Sequence, residues 1–141
     1  MSFVLDNSVA MCWLLIDGNA ADVAYAETVL DALREQQALV PSLCALEACN
    51  VIARAEARGL LTEARSQAFV VLLGRLNIAT DSATAVHALS DTLHLARRYK
   101  LSAYDAAYLE LALRTGLPLA TLDADLKKAA QAAGVQAFAP N

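Results

Sequence analysis

Charged side chains are sparse in this sequence: 18% of its 141 residues, against 57% hydrophobic. So low a fraction is oily for a chain standing alone in water, and leads to the expectation of an apolar surface that a partner covers. Long apolar runs are missing too. The longest uninterrupted one, Val9 to Ile16, is far shorter than the roughly 20 residues of a membrane helix. Much of the apolar excess is alanine, the best helix former, which points to packed helices and not to a membrane. The N-terminus lacks a basic region, and Asp6 breaks its apolar stretch, so no secretory signal is read and a cytoplasmic setting is expected. Cys12, Cys44 and Cys49 fit no zinc spacing, and one stays unpaired whatever bridge forms. They read as plain thiols of a reducing compartment. An excess of positive charge is also absent. The net charge of −4 argues against nucleic-acid binding by bulk electrostatics, although Arg54 with Arg58, Arg97 and Arg98 with Lys100, and Lys127 with Lys128 form local basic clusters.

The length suits one domain, residues 1–141, with a proper core. "SFVLD" reads as a buried first strand, followed by a short helix, "NSVAMCWLLI", capped by Asn7 or Ser8. A helix from about Ala20 to Gln37 carries Val23, Ala26, Leu30 and Leu33 as one stripe. "ALVPS" is a second strand, and Ser42 is placed to cap a helix from Leu43 to Gly59. Thr62–Leu73 is helical, "LNIAT" is a third strand, and a long helix runs from about Ser82 to Tyr99. Ser102 then starts a helix ending at Gly116, before a fourth strand "LPLATL", a last helix "DADLKKAAQAAG" and a possible fifth strand "VQAFA". Short apolar strands alternating with helices predict an α/β fold, with a parallel sheet of four to five strands covered on both faces. No repeat, linker or low-complexity segment interrupts this order.

In such sheets ligands bind beyond the carboxyl ends of the strands. Asp6 ends the first strand, Asp123 ends the fourth, Glu47 lies about a turn into the helix after the second, and Asp105 opens the helix feeding the fourth. Three of these acids have a local explanation. "SAYD" is a variant capping box from Ser102 to Asp105, Asp123 is placed to cap the last helix, and Asp6 to cap the first. Glu47 has none: it shares a helix face with Leu43 and Val51, along a strip that also carries Asn50 and Arg54. Four carboxylates at one edge repel, and some must take up protons unless a cation joins them. A set of oxygen ligands without His or Cys suits Mg²⁺ or Mn²⁺ better than zinc, and Mg²⁺ commonly works alongside substrate phosphates.

"FVLDNSV", "VPSLCALEACNVI", "LSAYDAAYLELALRTGLPLATLDADL" and the final "GV" resemble the PIN-domain ribonucleases, in particular the VapC-like toxins of type II toxin–antitoxin modules. The resemblance spans about Phe3 to Phe138. The ordered set Asp-x-Ser, Pro-Ser-x4-Glu-x2-Asn, Tyr-Asp-Ala and Thr-x-Asp is specific where each motif alone is weak. It implies a three-layer α/β/α sandwich and a Mg²⁺/Mn²⁺ site formed by the catalytic acids Asp6, Glu47, Asp105 and Asp123. It gives Ser8, Asn50 and Thr121 a supporting or phosphate-contacting role; Asp125 is either a further outer acid or a residue favoured by the helix dipole. It further implies RNA cleavage by a metal-activated water, with 3′-hydroxyl and 5′-phosphate products. A homodimer and an antitoxin peptide follow from it as well, the peptide lying along a groove formed by the helices at residues 20–37, 43–58 and 62–73.

The other conspicuous side chains read as structural. His87 and His94, seven apart on one helix, face solvent or hydrogen-bond locally. Trp13 packs, and Tyr104 with Tyr108 form a core or interface pair. Arg97, Arg98 and Lys100 are either a solvated helix end or contacts to an RNA backbone. Rival functions fit less well. A phospho-receiver module needs paired acids after the first strand and a downstream Lys site, and a haloacid-dehalogenase-type phosphatase needs Asp-x-Asp where this chain has "DNS". A catalytically silent PIN-fold scaffold or RNA-binding module, acting through partners, is the alternative; such scaffolds usually lose one of the four acids, and none is missing here.

Overall fold

A computed structural model describes residues 1–140. Strand β1 (Ser2–Leu5) alternates its side chains between two buried layers. Phe3 and Leu5 join Val9 and Cys12 of α1 (Asn7–Leu15) and Ala26 and Val29 of α2 (Ala20–Ala32). Val4 points the other way, to Tyr108, Leu109 and Leu111 of α7 (Ala103–Thr115) and Leu126 of α8 (Ala124–Ala132). The same alternation recurs on β2 (Gln37–Pro41), with Ala38 and Val40 on the first side and Leu39 on the second. On β4 (Leu119–Ala120) the two residues divide likewise. Burial on both faces is what a parallel sheet requires, and all the pairings are parallel. Val4 lies opposite Leu39 on one side and Leu119 on the other. With β3 (Ile78–Asp81) at one edge, the order is β3-β2-β1-β4, the expected α/β/α sandwich. A separate cluster of Met11, Leu14, Ala48 and Phe69 packs α1 against α3 (Cys44–Ala57) and α4 (Glu63–Arg75). Among the described residues no helix is long and apolar enough to cross a membrane.

Several boundaries differ from the sequence expectation. The second helix stops at Ala32, since residues 33–36 form the turn into β2. α3 starts at Cys44 with no side-chain cap; Ser42 instead donates its amide to Thr84 Oγ1 at 2.9 Å. α1 begins directly after Asp6, whose side chain makes no capping bond either, so neither Asn7 nor Ser8 is the cap. The long helix at residues 82–99 becomes α5 (Thr84–His87), a π-helical turn (Ala88–Thr92) and α6 (Leu93–Tyr99). Val86 and Leu89, which share helical spacing with Leu93 and Ala96 in the sequence, are strongly exposed.

The third strand starts two residues later than "LNIAT" suggests, at Ile78. The fourth shrinks to Leu119–Ala120 because the next amides bond side chains: Leu122 N donates to Ser8 Oγ and Asp123 N to Thr121 Oγ1, both at 3.0 Å. With so short a strand to pair against, the fifth reduces to one parallel bridge, Leu119 to Ala137. Side chains hold that segment in place. Phe138 stacks on Phe3 with ring centroids 3.9 Å apart, and the Tyr25 hydroxyl donates to the Phe138 carbonyl at 2.7 Å.

Candidate active site

The strand order makes β1 the turning point of the sheet: β2 and β3 lie on one side of it and β4 on the other. A crevice forms at the carboxyl ends of the strands where the order reverses. Asp6 leaves β1 at that point, and its amide donates to Ala120 O of β4 at 2.9 Å. Asp6 is 4% exposed. Oδ2 accepts the hydroxyl protons of Ser8 and of Thr121, the latter at 2.7 Å. Both hydroxyls have spent their protons on Asp6, so their oxygens are free to accept the Leu122 and Asp123 amides described above. Two of these contacts, Thr121 to Asp6 and Leu122 to Ser8, tie the loop after β4 to the end of β1, and the two local ones fix the hydroxyls that make them.

Burial raises the Asp6 carboxyl above its ordinary value; the Ser8 and Thr121 hydroxyls oppose the shift, and the Asp123 charge adds to it. Asp105, in the first turn of α7, is pushed up to about 6, first by burial and then by Asp123, Asp6 and Asp125. Glu47 is raised by burial and by the charges of Asp6 and Asp105, against a hydrogen bond from Tyr108. The acids therefore feel one another across β1, β4, α3 and α7. Among the described residues no three of them stand at a spacing that would grip one ion.

Two of the local cap readings hold alongside this. Ser102 Oγ accepts the Asp105 amide at 3.1 Å, and Asp123 Oδ1 accepts the Leu126 amide at 2.8 Å. Asp125 is exposed and reaches the cluster only through its charge on Asp105. Asn50 is exposed and makes no side-chain hydrogen bond among the described residues, and Glu47 does not pair with Arg54. Trp13 packs as expected, its indole donating to Ala26 O at 2.7 Å. His87 bonds Asp91 at 3.1 Å. All three cysteines are free, Cys12 buried and Cys49 exposed.

Tyr108 lies in the core, one of the two places its spacing suggests, but its link to the acids was not part of the sequence reading. Its ring is fully buried, and its hydroxyl donates to Glu47 Oε1 at 2.7 Å. The available signal was its position three residues after Asp105, on the same side of the helix. Tyr104, paired with it by spacing, is instead exposed.

A groove of about 820 Å³ runs along β4, lined by Asp22, Tyr25, Thr121, Leu122, Lys127 and Gln131, among others; it reaches Thr121 but is lined by none of the four acids. A larger hollow of about 970 Å³ lies around Met1, Ser2, Gln36 and Pro118, and contains none of the four acids.

Known structures share this architecture. The chain superposes on VapBC2 from Rickettsia felis, solved bound to a DNA fragment from its promoter, with a TM-score of 0.67 at 13% identity, covering 98% of each chain. FitAcB from Neisseria gonorrhoeae gives 0.59 at 20% identity, over 99% of this chain and 98% of that one. A toxin-antitoxin complex from Klebsiella pneumoniae gives 0.56 at 21% identity, over 86% of each. No curated protein sequence matches. The PIN domain model matches residues 3–132, nearly the whole chain, and with the sheet order and the acids at its turning point the conclusion is plain: the chain belongs to the PIN domain family.

Proposed function

We propose that this protein is a Mg²⁺- or Mn²⁺-dependent endoribonuclease, and the toxin of a toxin–antitoxin pair. The observation that carries the reading is the convergence of Asp6, Glu47, Asp105 and Asp123 from separate elements on one crevice, where their charges oppose one another's ionisation. Such a cluster is unfavourable by itself and favourable around a hard divalent cation, whose oxygen ligands these carboxylates match. The four side chains would have to draw together around the ion to hold it, and the metal would then supply a water acidified toward neutral pH and positive charge against the phosphate. Asp6, fixed by Ser8 and Thr121, is the rigid member of the set. Attack by water on phosphorus expels the ribose 3′-oxygen, leaving a 3′-hydroxyl and a 5′-phosphate. Lys127, at the groove wall, offers a cation to the RNA backbone.

A protein partner fits the exposed apolar side chains Leu46, Leu60, Val70, Val71 and Leu72 on α3, α4 and the turn between them. An antitoxin segment and a second copy of the chain are the proposed occupants of its apolar surfaces. Support for an antitoxin comes from the toxin-antitoxin complex from Klebsiella pneumoniae among the similar folds. The test is RNA cleavage by the purified, partner-free protein with Mn²⁺, followed by sequencing of the 5′-phosphate ends. Cleavage should vanish in Asp6→Asn and in excess chelator. Activity surviving either change would overturn the metal-dependent mechanism.

A further inference from the structure

We infer that Tyr108 is a positioning residue for Glu47: its buried hydroxyl fixes one carboxylate oxygen so that the other is presented to a divalent cation among the acids. This inference rests on the metal-dependent reading above. Glu47 is the longest of the four acids and the one supplied by a separate packed helix, α3. Three torsions separate its carboxylate from the backbone, one more than in an aspartate, so it has the most freedom to lose on binding. Asp6 is held by Ser8 and Thr121, and Asp123 by the amide of Leu126. Glu47 has a single donor among the described residues, the Tyr108 hydroxyl at 2.7 Å.

That hydroxyl cannot wander. The Tyr108 ring is fully buried between β1 and α8, packed with Val4, Leu109, Leu119 and Leu126. The Cys44 side chain, one turn before Glu47 on α3, packs against the same cluster. Tyr108 follows Asp105 by three residues on α7, so one helix both contributes an acid and orients another from α3. The arrangement has the form of an outer-shell partner that aims a ligand and leaves its second oxygen free.

The test is Mn²⁺ affinity, measured by electron paramagnetic resonance on the metal-free full chain. Tyr108→Phe removes one oxygen atom and preserves the packing volume. Its Mn²⁺ affinity should fall about 10- to 100-fold, with no further fall when the same change is made in a Glu47→Gln background. Wild-type affinity in Tyr108→Phe, or an equal loss in both backgrounds, would overturn the inference while the metal site stood. Wild-type protein that bound no Mn²⁺ would overturn both. Should Tyr108→Phe fold poorly, the wild-type chain labelled with ζ-carbon-13 tyrosine decides the matter. The Tyr108 resonance should move as Mg²⁺ saturates and stay in place in Glu47→Gln, with Tyr25, Tyr99 and Tyr104 as references; a stationary Tyr108 signal in the wild type rejects it.

Discussion

The hydroxyl of Thr121 donates to Asp6 Oδ2 at 2.7 Å while its oxygen accepts the Asp123 amide at 3.0 Å. One side chain thereby links two acids that lie far apart in sequence. Thr121 also ends the fourth strand, because its oxygen takes an amide that would otherwise continue the ladder.

Thr121→Val keeps the shape and removes both bonds. A buried carboxylate then lacks a donor and a loop amide lacks its acceptor. The expected cost is about 1–3 kcal/mol of stability, the usual penalty for leaving buried polar groups unpaired. Urea unfolding of the metal-free protein measures it; a change indistinguishable from zero would mean that water replaces the threonine without loss.

The acid cluster sets a pH dependence on the metal-free fold. Asp105 titrates near 6 in the folded chain against an ordinary 3.8, so the folded state holds this proton more tightly than the unfolded one. Its contribution to stability is complete below the unfolded value and disappears as pH rises through about 6. Asp6 and Glu47 shift in the same direction. Stability in chelator should therefore decline from about pH 4 to pH 7, and Asp105→Asn should flatten part of that slope. A profile rising over the same range would contradict the electrostatics described here.

Arg114 joins two elements: it donates to Asp81 Oδ2 of β3 at 2.7 Å and to Glu110 Oε2 of its own helix at 2.8 Å. Asp81 is held below its ordinary value by these contacts, so the pair stabilises the fold above that value and is lost in acid. Glu110 is 5% exposed. Arg114→Met strands that buried acid and should lower stability by about 3 kcal/mol, toward the low end for breaking a buried pair. Adding Glu110→Gln should recover part of the loss, as a thermal-melt double-mutant cycle will register.

Phe138 shows that the last segment is anchored by a side chain and not by a strand. Phe138→Ala removes the ring stacked on Phe3 and should cost about 3 kcal/mol or more, as for other buried aromatic truncations. Limited proteolysis should then open the chain near Gln136. Unchanged melting and cleavage would show that the single bridge at Ala137 suffices.

Much of the fold was legible in local sequence, for a physical reason. The unbroken apolar runs "FVL" and "ALV" state that both faces of a strand are buried, and Ser102, Asp123 and Gly116 mark helix ends through contacts within one turn. The placement of Asp6, Asp123, Glu47 and Asp105 at one edge followed from parallel topology alone, because each acid stands next to a strand end or a helix start. What tertiary structure decided were the contacts between residues distant in the chain. Ser8 finds the Leu122 amide, 114 positions away, only in the folded chain. The length of the fourth strand depends on which group claims the Leu122 amide. The orientation of Glu47 depends on Tyr108, 61 positions further on, whose hydroxyl has no reason in its own helix to point there. Periodicity names the face on which a side chain stands, but only packing of α3 against α7 determines what that face meets.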